Sequence, residues 1–304
     1  MIMAHQHVHI HTHNQALTSL NTVFIVCIVI NLLFVIIEAG VGFLFNSLGL
    51  LSDAGHNLSD VFSLLLSLFA YRMAKRHSTD HFTYGYKKST VLVSLLNAII
   101  LLIAVGAIII ESIYKLRQPE QVSGVAVSWT AGIGILVNGI TAWLLMKNQK
   151  HDLNVRGAFL HMAMDTLVSV GVVISGIIIV LTGFVLIDTL ISLAIAILIL
   201  ISTWKLLKES LFLSLDAVPE TIHLHELEKH IAQVEGVESF HHFHVWAMST
   251  TENAATIHVV LKDLTQMEEV KHAVKDKLRD YGIQHSTVEC EAPGSHCHDS
   301  CCCK

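Results

Sequence analysis

Six long apolar stretches run through the chain and limit the folds that it can adopt. They occupy residues 21–43, 48–72, 88–114, 124–146, 157–182 and 188–212. Because about 20 residues of α-helix cross about 30 Å of hydrocarbon, each stretch is long enough to span a membrane. Only 14% of the residues are charged and the mean hydropathy is +0.59, which is too apolar for an ordinary soluble protein. The sequence therefore predicts an all-α bundle of six transmembrane helices.

The second and fifth stretches each contain a His followed four residues later by an Asp. The pairs are His56 with Asp60, and His161 with Asp165. Residues four apart lie on one face of an α-helix, so each helix offers an imidazole and a carboxylate in one direction. Two imidazoles and two carboxylates form a tetrahedral ligand set that Zn²⁺ accepts, whereas the alternative is that each pair makes only local contacts. Ionisable groups within a membrane usually have a function, which favours the metal site.

The basic residues are unevenly distributed among the connections between the stretches. The loop after the first stretch and the loop after the fifth contain no Lys or Arg, and the loop after the third contains Lys115 and Arg117. The other two connections contain Arg72, Lys75, Arg76, Lys87, Lys88, Lys147, Lys150 and Arg156. Because cytoplasmic loops are rich in Lys and Arg, this distribution predicts a multi-pass protein of the cell membrane with both termini in the cytoplasm.

This topology allows the two His and Asp pairs to meet. At 1.5 Å per residue, Asp60 lies about 18 Å from the outer end of its stretch and Asp165 about 12 Å from the inner end of its own. The two depths add to about 30 Å, the thickness of the hydrocarbon core, so antiparallel helices can present both pairs at one level. Asp53 is one turn before His56, near the outer mouth, and is a candidate proton relay. Glu38 and Asp188 are weaker candidates, and Asn31, Asn97 and Asn138 are expected to bind neighbouring helices.

Both ends of the chain are rich in metal-binding residue types. His5, His7, His9, His11 and His13 alternate in residues 1–17, and Cys297, Cys301, Cys302 and Cys303 crowd residues 293–304. Such tracts bind soft and borderline divalent metals, although an N-terminal tail without a binding role is the open alternative. Adjacent cysteines form a poor disulfide framework, so we expect reduced, metal-binding thiols. No positive n-region of a signal peptide precedes the first stretch.

The composition after Leu213 is that of a small soluble domain over residues 214–292, whereas residues 18–213 form the transmembrane domain. Apolar periodicity predicts helices at 221–235 and 266–281 and strands at 240–248, 255–262 and 285–291. The order α-β-β-α-β is that of an α+β, ferredoxin-like fold. Period 2 places His242 and His244 on one face of the first strand and His241, Phe243 and Val245 on the other. These histidines either bind metal as a cluster or are simply solvated.

Four segments together resemble the cation diffusion facilitator family, and within it the bacterial zinc exporters. They are NSLGLLSDAGHNLSD in the second stretch, Tyr84 to Lys88 (YGYKK), the second H-x-x-x-D pair, and His241 to Trp246 (HHFHVW). The resemblance implies that His56, Asp60, His161 and Asp165 are the transport-site ligands and that the protein is a homodimer. It also implies exchange of a divalent metal for protons by alternating access. His241, His258, Glu289 and Glu291 fall where some relatives bind zinc in the cytoplasmic domain.

The chain departs from some relatives in the loop between the second and third stretches. Those relatives bind zinc there with an Asp and two His around an F-G-H-G segment. Here Phe82 and Tyr86 stand at the corresponding positions, and the nearby His77, Asp80 and His81 do not keep that spacing. We therefore expect no loop site of that kind.

The predicted activity is proton-coupled export of Zn²⁺, with Cd²⁺ or Co²⁺ as further cargo, through a secondary-active transporter and not an enzyme. Imidazole and carboxylate ligands must lose protons to bind metal, so protons and metal compete. No nucleotide-binding motif is present, no H-E-x-x-H motif suggests a metalloprotease, and no basic stripe suggests nucleic-acid binding. The alternative is a membrane-anchored metal sensor or storage protein.

Overall fold

The computed structural model describes residues 11–44, 48–117, 125–150, 152–183 and 186–295. These residues form two compact units. The first unit comprises the described parts of 1–73 and 93–206, and the second comprises 74–92 and the described part of 207–304. The segment 74–92 between two apolar stretches thus belongs with the C-terminal unit. The domain boundaries at 17, 213 and 292 stay a prediction.

Six long helices coincide with the six apolar stretches. They are α1 His11–Leu44, α2 Leu48–Ala74, α3 Ser89–Arg117, α4 Val125–Met146, α5 Leu153–Thr182 and α6 Leu186–Ser214. Within the described residues, the segments Leu20–Val41 of α1 and Ser89–Tyr114 of α3 are long and apolar enough to cross a membrane. That all six helices cross the membrane as one bundle stays a prediction.

The helices of the first unit bury one set of apolar side chains and expose another. Phe24 and Cys27 of α1 pack with Leu64 of α2, Leu145 of α4 and Met162 of α5 in one core. Large apolar side chains on the opposite faces remain exposed, among them Ile36, Phe62, Phe69, Trp143 and Ile201. A water-soluble protein rarely exposes so much apolar surface, and these faces suit hydrocarbon.

Buried amides join neighbouring helices, as expected for two of the three asparagines. Asn31 Nδ2 donates to Thr141 Oγ1 at 2.9 Å, which links α1 to α4. Asn97 Nδ2 donates to Ser67 Oγ at 2.9 Å, which links α3 to α2. Buried polar groups are stabilising only when their hydrogen bonds are satisfied, so these bonds fix the relative rotation of the helices.

The second unit contains a three-stranded sheet and two further helices. In chain order they are α7 Leu224–Ala232, β1 Val237–Ala247, β2 Asn253–Leu261, α8 Met267–Asp280 and β3 Ile283–Glu291. This confirms the predicted order α-β-β-α-β. The strands lie in the order β1-β2-β3, with β1 and β2 antiparallel and β2 and β3 parallel.

The two helices supply one side of the core of this unit. Val270, Val274 and Leu278 lie at a spacing of four on α8 and are buried, as are Leu227 and Ile231 of α7. They pack in one cluster with inward-facing residues of the sheet, including Val245 and Ile257. The histidine-bearing positions of β1 and β2 are absent from this core, so they lie on the other face of the sheet.

The segment 74–92 is attached to the second unit through two lysines. Lys88 Nζ donates to the carbonyl oxygens of Leu213 and Ala247, both at 3.0 Å, and lies 2.5 Å from Asp216 Oδ1. Lys87 Nζ lies 2.5 Å from Glu252 Oε2 at the turn between β1 and β2. The segment resembling the family's YGYKK element therefore holds the end of α6 and the end of β1.

Candidate metal centres

Asp60, His161 and Asp165 come together between α2 and α5. His161 Nε2 contacts Asp60 Oδ1 and lies 3.8 Å from Asp165 Oδ2. One ligand atom from each of the three residues lies within 4.8 Å of the others. His161 and Asp165 share a face because they are one turn apart on α5, and Asp60 faces them from α2. The fold therefore brings together three of the four residues that the H-x-x-x-D spacing marks as candidate ligands.

The chemistry of this cluster suits a small divalent cation. The side chains of Asp60 and His161 are 1% and 6% exposed, and that of Asp165 is 10% exposed. Zinc binds imidazole nitrogen and carboxylate oxygen at about 2.0–2.2 Å, so four donors around it lie about 3.3–3.5 Å apart. Only small side-chain movements separate the observed cluster from that arrangement.

His56 and Asp53 lie on α2, where the backbone is described and the side chains are not. His56 is one turn before Asp60 on that helix, which is the placement that the H-x-x-x-D spacing predicts. Its contribution of a fourth ligand and the relay role of Asp53 stay predictions.

The two tails contribute no described ligand. His5, His7 and His9, and Cys297, Cys301, Cys302 and Cys303, lie outside the described residues. His11 and His13 begin α1, and their side chains are likewise outside the description.

Glu38 of α1 is a buried carboxylate near this region that the sequence marked only weakly. It is 2% exposed, and its Oε2 accepts a hydrogen bond of 2.8 Å from Asn57 Nδ2 of α2. Asn57 follows His56 directly in the chain. This hydrogen bond joins α1 to α2 at the residue next to His56. In the sequence, Glu38 is a single acidic residue within an apolar stretch, and that pattern does not indicate that Asn57 is its partner.

A second cluster lies on the sheet of the C-terminal unit. Glu291 Oε1 of β3 lies 3.1 Å from His241 Nε2 of β1 and 2.9 Å from His258 Nδ1 of β2. His258 Nε2 also lies 3.5 Å from Glu289 Oε2. The register explains the meeting, because His241 pairs with His258 and His258 pairs with Glu289. Three strands thus bring together all four residues that the family resemblance indicated.

Hydrogen bonds hold Glu291 in its ionised form. Burial raises the pKa of Glu291, but hydrogen bonds from Ser295 and His258 and the nearby imidazoles of His241 and His258 outweigh it. The pKa of this carboxyl therefore lies below its ordinary value. His241 Nε2 is buried and makes no hydrogen bond, although it points at Glu291. A nitrogen and a carboxylate in this relation suit a shared metal ion.

The predicted alternation of faces along β1 is wrong at His241, which does not share a face with Phe243 and Val245, whereas His242 keeps its predicted face. The pairs His241 with His258 and His244 with Thr256 leave two residues of β1 opposite one residue of β2, which is a β-bulge. His242 has a left-handed φ of 48°. The extra residue lets Phe240, Phe243 and Val245 all reach the core. His241 and His242 therefore lie on the same outer face, with ring centroids 5.3 Å apart.

Comparisons with known proteins agree with both units. The family model described as the cation efflux transmembrane domain matches residues 24–213, and that of the cation efflux protein cytoplasmic domain matches residues 219–293. These matches define a metal cation efflux transporter. The chain belongs to the cation efflux family, the cation diffusion facilitators that its motifs resemble.

Three relatives illustrate the range of names within this similarity. A cadmium, cobalt and zinc/H(+)-K(+) antiporter of Bacillus velezensis is 34% identical over 293 residues, which are 95% of this chain and 93% of the relative. The metal cation efflux system protein CzcD of Cupriavidus metallidurans is 36% identical over 85% of this chain and 82% of its own length. The zinc transporter ZitB of Escherichia coli is 35% identical over 87% of this chain and 86% of its own length.

Proposed function

We propose that this cation efflux protein exports Zn²⁺ from the cytosol in exchange for protons, with Cd²⁺ or Co²⁺ as further cargo. The observation that carries the proposal is the buried cluster of Asp60, His161 and Asp165 between α2 and α5. His56, one turn from Asp60, completes a tetrahedral set of two imidazoles and two carboxylates. The names of the Bacillus velezensis antiporter and the Escherichia coli zinc transporter support the same cargo.

Competition between protons and metal supplies the coupling. Each ligand must be deprotonated to bind Zn²⁺, and an imidazole with an ordinary pKa near 6.5 gains a proton readily on an acidic exterior face. The contact between His161 and Asp60 gives an arriving proton two adjacent acceptors. Protonation there releases the metal outward, and return of the protonated site to the cytosol completes the cycle. Asp53, nearer the outer mouth, would pass the protons.

The proposed setting is a homodimer in the bacterial inner membrane with both termini in the cytoplasm. The match to the cation efflux cytoplasmic domain supports the dimer, and the basic residues of the second and fourth connections support the orientation. The lipid bilayer contacts the exposed apolar faces of the helices. The tails rich in His and Cys would collect metal before it enters.

The cluster on the C-terminal sheet fits a resident zinc ion. His241, His258 and Glu291 would hold it, with Glu289 as a further carboxylate on the exposed side of His258. The fit rests on the buried His241 nitrogen that faces Glu291 at 3.1 Å without a hydrogen bond. A resident zinc ion would crosslink β1, β2 and β3 and so stabilise this unit.

Flux measurements in sealed vesicles test the proposal. Purified full-length protein is reconstituted into proteoliposomes, a pH gradient is imposed, and entry of Zn²⁺, Cd²⁺, Co²⁺ and Mn²⁺ is followed with an internal metal-sensitive dye. We expect Zn²⁺ to enter vesicles with an acidic interior and the interior to become less acidic in proportion. Metal binding without flux would favour a membrane-anchored sensor or storage protein, and flux that ignores the pH gradient would refute proton coupling.

A further inference from the structure

We infer that His242 is an additional metal ligand of the cluster on the C-terminal sheet, which makes that site a three-imidazole, one-carboxylate site for Zn²⁺-like cations. This inference rests on the resident zinc site proposed above. The residue that this inference adds is His242, which the period-2 alternation along β1 placed on the opposite face from His241. Its basis is the backbone of β1 and the arrangement of three rings.

The β-bulge in β1 turns the His242 side chain toward the cluster. In regular strand pairing, adjacent residues point to opposite faces, so His241 and His242 could not both reach His258. Here two residues of β1 stand opposite Ile257 of β2, and His242 has the left-handed φ of 48°. That conformation is strained for residues other than Gly, although His, Asn and Asp adopt it more often than most. Strained backbone is retained most often where it serves a site.

The three imidazole rings form a nearly equilateral triangle. Ring centroids are separated by 5.3 Å between His241 and His242, by 5.1 Å between His242 and His258, and by 5.2 Å between His241 and His258. A zinc ion binds imidazole nitrogen at about 2.0–2.1 Å, and the ring centroid lies about 1.1 Å beyond, so tetrahedral ligands have centroids about 5.2 Å apart. The three centroids are therefore spaced as those of three imidazoles around one metal ion. Ligand atoms of His241, His258 and Glu291 already lie within 4.8 Å of one another, and ligation by His242 requires its ring to rotate until a nitrogen faces them.

The Glu291 carboxylate lies close to two of the three imidazoles. Glu291 Oε1 lies 3.1 Å from His241 Nε2 and 2.9 Å from His258 Nδ1. With His242, the donors number three imidazoles and one carboxylate, which is the count that tetrahedral Zn²⁺ requires. A donor set rich in imidazole favours Zn²⁺ and Co²⁺ over Mn²⁺ and Mg²⁺. The inferred ligand is therefore a divalent cation of the zinc type.

His244 provides a matched control on the same strand. It is exposed, and its ring centroid lies 6.3 Å from that of His242. It has the same chemistry as His242, and no ring contact joins it to His241 or His258 among the described residues. Loss of His244 therefore removes an imidazole near the site without changing the triangle.

Zinc and cobalt binding to the full-length protein in detergent test the inference. The protein has more than one proposed metal site, and competition with a chromophoric chelator gives a dissociation constant for each group of sites of similar affinity. The group that is lost in His258→Ala is the one that belongs to this sheet. We expect His242→Asn to weaken Zn²⁺ at that group of sites by at least about 10-fold, since loss even of a side chain that only orients a metal ligand costs about 10- to 100-fold. It should also change the visible absorption of bound Co²⁺, which depends on coordination. His244→Asn should leave both unchanged.

Two further variants separate ligation from backbone structure. Asn and Gly both adopt a left-handed φ, so His242→Asn and His242→Gly keep the bulge. With metal removed by a chelator, we expect both to unfold at the parent's temperature or above it. Both should nevertheless bind Zn²⁺ more weakly when metal is returned, which a purely structural role would not produce. His242→Asp, which restores a donor, should recover part of the affinity.

The outcomes distinguish this inference from the proposals on which it rests. If the group of sites sensitive to His258→Ala keeps its affinity and its Co²⁺ spectrum in His242→Asn, the inference is overturned and the three-residue site stands. If His258→Ala removes no group of sites, both the resident zinc site and the inference are overturned. Zinc flux measured on the same preparations reports separately on the proposed transport activity.

Discussion

His161 Nε2 contacts the carboxylate of Asp60, although 101 residues separate the two in the chain. Both side chains are buried, so the contact fixes α5 against α2 at the level of the candidate site. A proton held between these two groups occupies the same lone pairs that a metal ion needs. The contact therefore gives the proposed competition between protons and Zn²⁺ a location.

Removal of either carboxylate should abolish transport. We expect Asp60→Ala and Asp165→Ala each to reduce Zn²⁺ flux to background in proteoliposomes, because each removes one of four protein donors and one of the two negative charges that offset the charge of Zn²⁺. Size-exclusion chromatography should still show a folded dimer. Asp80→Ala is the control, since it removes an exposed carboxylate of the segment 74–92 that is not a proposed ligand. Near-normal flux in either Asp variant would contradict the assignment.

The parts of this site that were predictable from the sequence depend on local geometry. The helical period alone places His161 and Asp165 on one face, and the lengths of the apolar stretches place Asp60 at a matching depth. Contacts between residues far apart in the chain could not be predicted in this way. Nothing in an apolar stretch indicates that Asn57 donates to Glu38, or that the segment 74–92 packs with the C-terminal unit.

In the sheet of the C-terminal unit, the order of elements could be predicted from the sequence, but the faces of the strand residues could not. The element order was predictable because apolar periodicity switches between helix and strand along residues 221–291. The face of His241 was not, because period 2 assumes regular pairing and a single bulge reverses every assignment before it. The consecutive histidines His241 and His242 gave no signal of the bulge, whereas the inward-facing Phe240 and Phe243 at a spacing of three were a signal that could have revealed it.

Loss of Lys88 should loosen the C-terminal unit more than loss of Lys87. Lys88 donates to two partly buried backbone carbonyls besides pairing with Asp216. Lys88→Met removes both of these hydrogen bonds from a charged donor and should lower the free energy of unfolding by about 1–3 kcal/mol. Lys87→Met removes a half-exposed ion pair with Glu252, which contributes about 0–1 kcal/mol. Hydrogen–deuterium exchange of peptides covering the end of β1 should therefore accelerate more in Lys88→Met. Equal acceleration in both variants would argue against the carbonyl contacts.

Deletion of either tail should have only a modest effect on transport. Residues 1–14 and 294–304 can collect metal, but they cannot carry it through hydrocarbon. We expect each deletion to raise the Zn²⁺ concentration at half-maximal flux by a few-fold while the maximal rate stays near that of the parent. Complete loss of flux in a deletion that still reaches the membrane would show that a tail belongs to the pathway.

Replacement of His56 by Asp should change selectivity and pH dependence together. His56→Asp would leave one imidazole and three carboxylates, which weakens the preference for Zn²⁺ and admits the larger Cd²⁺ more readily. It also replaces an imidazole, whose ordinary pKa is about 6.5, by a carboxyl group, whose ordinary pKa is about 4, so the pH dependence of Zn²⁺ exchange should change. Metal-stimulated proton flux in proteoliposomes measures both effects on one preparation. His77→Asp is the control, because His77 is an exposed histidine in the segment 74–92. If His56→Asp kept the parent's ratio of Zn²⁺ to Cd²⁺ flux and its pH profile, His56 would not contact the metal, and the fourth ligand would have to be sought elsewhere around Asp60 and His161.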